Sequence, residues 1–146
     1  MIQMSLVDTF AASSAGAYAL AENFLYTKEA FREYYDHLSD NGLLTVSRWY
    51  TPVIPGETLR VVSLGVAAWK EAGVNDPSQH IAVLAAPVDP VGTVLLKRSP
   101  FTEQEKESLV KLAEEIGFRT VYVPGQQPDN IIAELINPMC KLFIFV

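Results

Sequence analysis

The sequence predicts an α/β domain built on a mixed sheet. Two observations carry that expectation. Short apolar runs of strand length alternate with stretches of helical periodicity. Two of the runs, His80–Ala86 and Thr93–Arg98, are separated only by Pro87-Val-Asp-Pro-Val-Gly92, too little chain for a crossover helix, so they form an antiparallel hairpin. The predicted order is then β-α-β-α-β-β-α-β-α, parallel at first and antiparallel at one edge.

The opening run, Ile2–Ser5, reads as a buried parallel strand. An interior strand is normally led in by other elements, so earlier parts of a complete domain are expected to be missing before it. Leu6–Asn23 is long for a loop, and long loops are often functional. Its stretch Ala11–Ala21 either continues as loop or forms an Ala-rich helix.

Thr27 caps the next helix, through Leu38, with Glu29 placed favourably in the first turn. Phe31, Tyr34, Tyr35 and Leu38 share its core face. Asn41-Gly42 turns the chain into a strand over Gly42–Ser47. After the break Thr51–Gly56, a second helix spans Glu57–Ala72, with Leu59, Val62, Val66 and Trp69 on one face and Gly73 to end it. Gly65 inside that helix costs about 1 kcal/mol relative to Ala, which suits a close helix–neighbour approach.

Thr102-Glu-Gln-Glu105 is a capping box. The helix that it starts buries Leu109, Leu112, Ala113 and Ile116, pairs Glu107 with Lys111, and stops at Gly117. Arg119–Val123 is the last strand. Pro128 suits the first position of a short helix through Ile136. The tail Lys141–Val146 is apolar and β-prone, and either pairs within the fold or is sticky.

Composition limits the function classes. With 146 residues, 49% apolar and 19% charged, the chain is one globular domain able to bury a core. Eleven basic against 17 acidic residues give a net charge of −6, which argues against nucleic acid as a partner. Cys140 is the single cysteine, so no internal disulfide or zinc framework is available. No apolar run reaches the roughly 18 residues of a membrane span, and no basic-then-apolar leader opens the chain. The expected location is the cytoplasm, or the cytosolic part of a larger membrane protein.

Ile2-Gln-Met-Ser-Leu-Val-Asp8, Leu25-Tyr-Thr-Lys-Glu-Ala-Phe31 and Leu38-Ser-Asp-Asn-Gly-Leu-Leu-Thr-Val-Ser47 together resemble the C-terminal half of a Rossmann-like methyltransferase-type domain. More narrowly they resemble the spermidine synthase (polyamine aminopropyltransferase) family, above all its long bacterial members with a membrane-spanning N-terminal part. The likeness is good over residues 2–49, extends in element order to Arg98, and is weak beyond. It implies a partial methyltransferase-like mixed sheet with flanking helices: a single incomplete domain over residues 1–146.

The resemblance also implies a site. In the family the strand ends in Asp-Ser-x-Asp-Pro; the first Asp deprotonates the attacking amine and the second helps to hold the polyamine. Here the first falls on Ser5, the second on Asp8 and the Pro on Thr9, while the family's Gln at the next strand end falls on Ser47. A serine hydroxyl is a poor acceptor for an ammonium proton near neutral pH, so Ser5 does not inherit the base role. Asp8, Ser5 and Ser47 are therefore candidate substrate-binding residues, and no catalytic residue is assigned. A complete family domain uses S-adenosylmethionine or its decarboxylated form. The Gly-rich strand-to-helix turn for that cofactor belongs to the other half, and this sequence carries none, so no cofactor is expected here.

Each candidate also has an ordinary reading. Asp8 at a strand end either binds an amine or caps a backbone N–H. Ser13-Ser14 near Gly16 lacks a nucleophile-elbow setting. His37 and His80 are too far apart in the chain for a local metal pair. Arg48-Trp49 borders a pocket or packs. The glutamates from Glu103 to Glu115 form a solvated helix face. Two functional expectations follow. The chain is a fragment of a synthase-like transferase domain, inactive alone. Alternatively it is a stand-alone, non-catalytic α/β interaction module that dimerises through the exposed edge of Ile2–Ser5.

Overall fold

The structure, a computed structural model, describes residues 1–6, 24–126, 128 and 130–137. Asp8, Ser13, Ser14, Cys140 and the apolar tail lie outside the described residues. In chain order the elements are β1 (Ile2–Ser5), α1 (Lys28–His37), β2 (Leu43–Trp49), α2 (Gly56–Glu71), a 3-10 turn (Pro77–Gln79), β3 (Ile81–Ala85), β4 (Val91–Lys97), α3 (Glu103–Glu115), β5 (Arg119–Tyr122) and α4 (Ile131–Ile136).

The mixed α/β sheet expected from the sequence is present. Five strands lie in the order β1-β2-β4-β3-β5. β1 and β2 run parallel, with Ser5 beside Ser47 at their carboxyl ends. The β3–β4 hairpin is antiparallel as expected. Its placement differs from a simple edge: β4 inserts between β2 and β3, so antiparallel pairing also covers β2–β4 and β3–β5. Hairpin strands must be neighbours, and β4 is the member that pairs with β2, over seven residues from Leu43↔Lys97 to Trp49↔Val91.

One sheet face carries the core. Leu44, Val46, Ile81, Val83, Val94 and Leu96 are buried there together with Phe31 of α1 and Val61, Val62 and Trp69 of α2. Thr27 caps α1 through its side-chain oxygen, as its position predicts. The buried stripe of α2 is Thr58, Val61, Val62, Gly65, Ala68 and Trp69, so Leu59 and Val66 sit at its border rather than at its centre. The rotation follows from Gly65. A Cβ there would lie 2.6 Å from Leu96 Cδ2, so the helix comes down on β4 at its smallest residue. Gly73 and Gly117 end α2 and α3 with φ of 92° and 78°, conformations open to glycine.

α3 starts on the predicted capping box between Thr102 and Glu105. Its burial differs from the expectation: Ala113 is buried, but Leu112 and Ile116 are each 54% exposed. The helix reaches the sheet mainly along β5, at its narrow edge, and the strip it covers is too slim for four apolar positions. Glu107 makes no ion pair with Lys111, which instead lies 4.0 Å from Glu115; exposed pairs of this kind are worth little, and either arrangement is cheap. The short α4 begins at Ile131 with Asn130 as its side-chain cap, so Pro128 precedes the helix instead of opening it. Asn130 accepts from Ala133 N and also donates to Val121 O, a double role that fixes the start of α4 beside β5. Among the described residues no helix is long and apolar enough to cross a membrane.

Candidate functional site

Strand alternation decides what the carboxyl ends of β1 and β2 present. Leu44 and Val46 point into the core, so Leu43, Thr45 and Ser47 point to the opposite face. Ser47 is in register with Ser5 on one side and with Thr93 of β4 on the other. The three hydroxyl residues form a row across three strands. Ser47 Oγ and Thr93 Oγ1 share a hydrogen bond of 2.9 Å, and Gln3 Nε2 donates to Ser5 Oγ at 3.0 Å. Ser5 is exposed, and Ser47 and Thr93 are half-buried. Leu6, next in the chain, has φ of 39°, an uncommon conformation for a branched side chain, and its N–H donates to Ser47 O at 3.2 Å. The structure thus brings Ser5 and Ser47 side by side, while Asp8 is outside the described residues.

Arg48 follows Ser47 and turns to the other face. Its guanidinium pairs with Glu57 at the start of α2 (3.1 Å) and lies 4.6 Å from the centre of the Tyr26 ring. Its Nη1 also donates to the Tyr26 hydroxyl at 3.5 Å. Arg60 Nη2 donates to Tyr26 O at 3.4 Å. Arg48 and Ser47 are therefore consecutive in sequence but do not converge on one point. Trp49 is 46% exposed, outside the core. Behind it, Thr58 Oγ1 donates to Trp49 O at 2.9 Å, tying α2 to the end of β2.

The chemistry available in this row is hydrogen bonding. A hydroxyl both donates and accepts, so the row can orient a polar ligand. It supplies no group with the proton affinity of a general base near neutral pH.

The other end of the sheet holds the buried charge. Lys97, at the end of β4, is 5% exposed, and its ammonium donates to both carboxylate oxygens of Glu105 at 2.7 and 2.8 Å. It also donates to Pro100 O at 3.4 Å. Glu105 Oε2 accepts from Thr102 N as well (2.8 Å). The Lys97 hydrogen bond first, and the Thr102 N–H second, hold the Glu105 carboxyl below its ordinary range. Lys97 O accepts from Trp69 Nε1 at 2.8 Å and lies 3.1 Å from His80 Nδ1. His80 is thus buried in a structural network, whereas His37 is exposed on α1 with Nδ1 2.8 Å from Glu33 O. The two histidines do not meet, and among the described residues no group of three or more His, Cys, Asp or Glu is placed to hold a metal.

Beside this network opens a polar cleft of about 320 Å³, between the 3-10 turn, the end of β5 and α4. Tyr122 is buried at its base and donates to Ser78 O at 3.2 Å. Burial is the main cause that pushes the Tyr122 phenol up. Sequence reading does not reveal this cleft. The one local signal is Asp76-Pro77-Ser78, an Asx-type start that the structure uses, with Asp76 Oδ1 accepting from Ser78 N at 3.1 Å.

Comparison of the chain with protein-family models, with curated proteins and with solved structures returns no match.

Proposed function

We propose that this chain is a non-catalytic α/β module of spermidine synthase-like ancestry. In a complete transferase domain it would supply the acceptor side for a small amine or polyamine, and an adenosyl cofactor, S-adenosylmethionine or its decarboxylated form, would sit on the other half. Alone it binds but does not transfer. The observation that carries this reading is the row Ser5–Ser47–Thr93: hydroxyls stand in register where the resemblance calls for a base. The half-exposed row, with Asp8 following in sequence, fits weak recognition of an amine rather than its deprotonation. A cytosolic location goes with this reading.

A turnover assay tests it. Protein incubated with decarboxylated S-adenosylmethionine and putrescine should yield no aminopropylated amine by mass spectrometry. Formation of that product in proportion to protein concentration would overturn the reading.

A second reading, self-association, rests on its own observation. Among the described residues β1 pairs only with β2, and Gln3 and Ser5 are exposed along it. An edge of this kind can add a strand from a second copy. Sedimentation equilibrium should show a mass that rises with concentration toward two copies. A concentration-independent monomer mass would remove the dimer from the account.

A further inference from the structure

The cleft beside Tyr122 lies at the opposite end of the sheet from Ser5 and Ser47. β3 runs in the same direction as β2, because each is antiparallel to β4. The 3-10 turn leads into the start of β3, and Tyr122, the last residue of β5, pairs with Val83 at the middle of β3, so that β5 runs out toward that start. The cleft is therefore independent of the site proposed above.

Its lining has a consistent chemistry. Asp76 and Glu134 contribute carboxylates from two separate elements, and Gln79 and Gln126 contribute carboxamides. None of its described lining residues is a lysine, arginine or histidine. The Glu134 carboxylate and the Gln126 side chain make no hydrogen bond or ion pair among the described residues. Asp76 spends one oxygen, Oδ1, on Ser78 N and Ser78 Oγ. Lys106, near Gly125, belongs to the adjoining groove and pairs with Glu103 at 2.5 Å, so its charge is already matched. The cleft's size, about 320 Å³, falls at the small end of the range for ligand sites.

We propose that this cleft is a binding site for a small organic cation of the guanidinium type. Two carboxylates on separate elements supply the countercharge. A planar guanidinium offers five N–H donors in a fixed fork, enough to engage a carboxylate and still reach side-chain amide oxygens. An ammonium presents a point charge with three donors and matches this spread of acceptors less well. An anion would meet two carboxylates and no cation among the described lining residues, so phosphate and carboxylate ligands are disfavoured.

Titration of isotope-labelled, full-length protein with L-argininamide, followed by amide chemical shifts, tests this. Saturable shifts should centre on Ser78, Gln79, Tyr122 and Gln126. L-citrullinamide keeps the shape but replaces the guanidinium with a neutral urea, and should bind roughly tenfold more weakly or not at all. Glu134→Gln and Asp76→Asn should each weaken argininamide by a factor of roughly three to ten, since each removes one charge. Asparagine still caps the 3-10 turn, so Asp76→Asn keeps the fold, and the spectrum of each variant checks that directly. Equal binding of the two amides, shifts centred elsewhere, or no saturable shift with argininamide would each overturn the proposal.

Discussion

The two ends of β4 carry polar clusters of opposite character. At Thr93 the cluster is made of hydroxyls, is half-exposed, and links strand to strand. At Lys97 it is made of charges, is largely buried, and links β4 to α2, α3 and the turn before β3 through Trp69, Glu105 and His80. The difference is one of dielectric and desolvation. A buried ammonium without a partner is costly, so its surroundings are specified atom by atom. A half-exposed hydroxyl is satisfied by water as well as by a neighbour, so its row can change or take a ligand at little cost. The Lys97 end holds the fold, and the Ser47 end is free to do something with it.

Substitutions sharpen that comparison. Trp69→Ala has the largest expected effect. It empties a fully buried site, loses the edge-to-face contact with Tyr35 at 5.0 Å between ring centres, and orphans Lys97 O in part. Chemical denaturation should show a loss of about 3–5 kcal/mol.

Glu105→Gln comes next. It leaves Lys97 buried without its countercharge and weakens the capping box, at about 2–3 kcal/mol. That is below the fully buried case because the Glu105 side chain is 43% exposed. The same group sets a pH dependence. Its folded carboxyl lies below the ordinary range, so its stabilisation is complete above that range and is lost as pH falls through the folded value. Denaturation midpoints of wild type should therefore drop toward acid more steeply than those of Glu105→Gln.

Gly65→Ala lies between the two ends. The new methyl would meet Leu96, whose side chain must yield, and the helix gains about 1 kcal/mol of propensity. A net loss of about 1–2 kcal/mol is expected by thermal unfolding.

Ser47→Ala has the smallest effect, below about 1 kcal/mol, because the Thr93 hydroxyl it abandons is half-exposed and finds water. A loss as large as that of Glu105→Gln would erase the contrast between the ends.

Much of this fold was legible in the sequence for local reasons. Thr27, the Thr102–Glu105 box, Gly73 and Gly117 act within a few residues of themselves, and each sits where its chemistry places it. The hairpin was legible because Pro87–Gly92 leaves no room for a crossover. Strand order was not, since the insertion of β4 beside β2 depends on contacts between residues some 46 positions apart, such as Ser47 and Thr93. The outward turn of Leu112 and Ile116 escaped the periodicity for a related reason. Periodicity says which residues share a face, and the width of what they meet decides how many are covered. At the candidate site, Ser5 and Ser47 were placed side by side by strand pairing. The opposite facing of Arg48 follows from simple alternation. The Tyr122 cleft was invisible because its lining comes from three separated stretches, joined only by the fold.

Native-state hydrogen exchange tests the division between the two ends most directly. Amides of Val94–Lys97 in β4, flanked by strands on both sides, should exchange only through global unfolding. The amides of β1 that pair with β2 should exchange through a smaller opening, with a free energy lower by more than about 1 kcal/mol. Equal protection of β1 and β4, set by the same global event, would contradict the account.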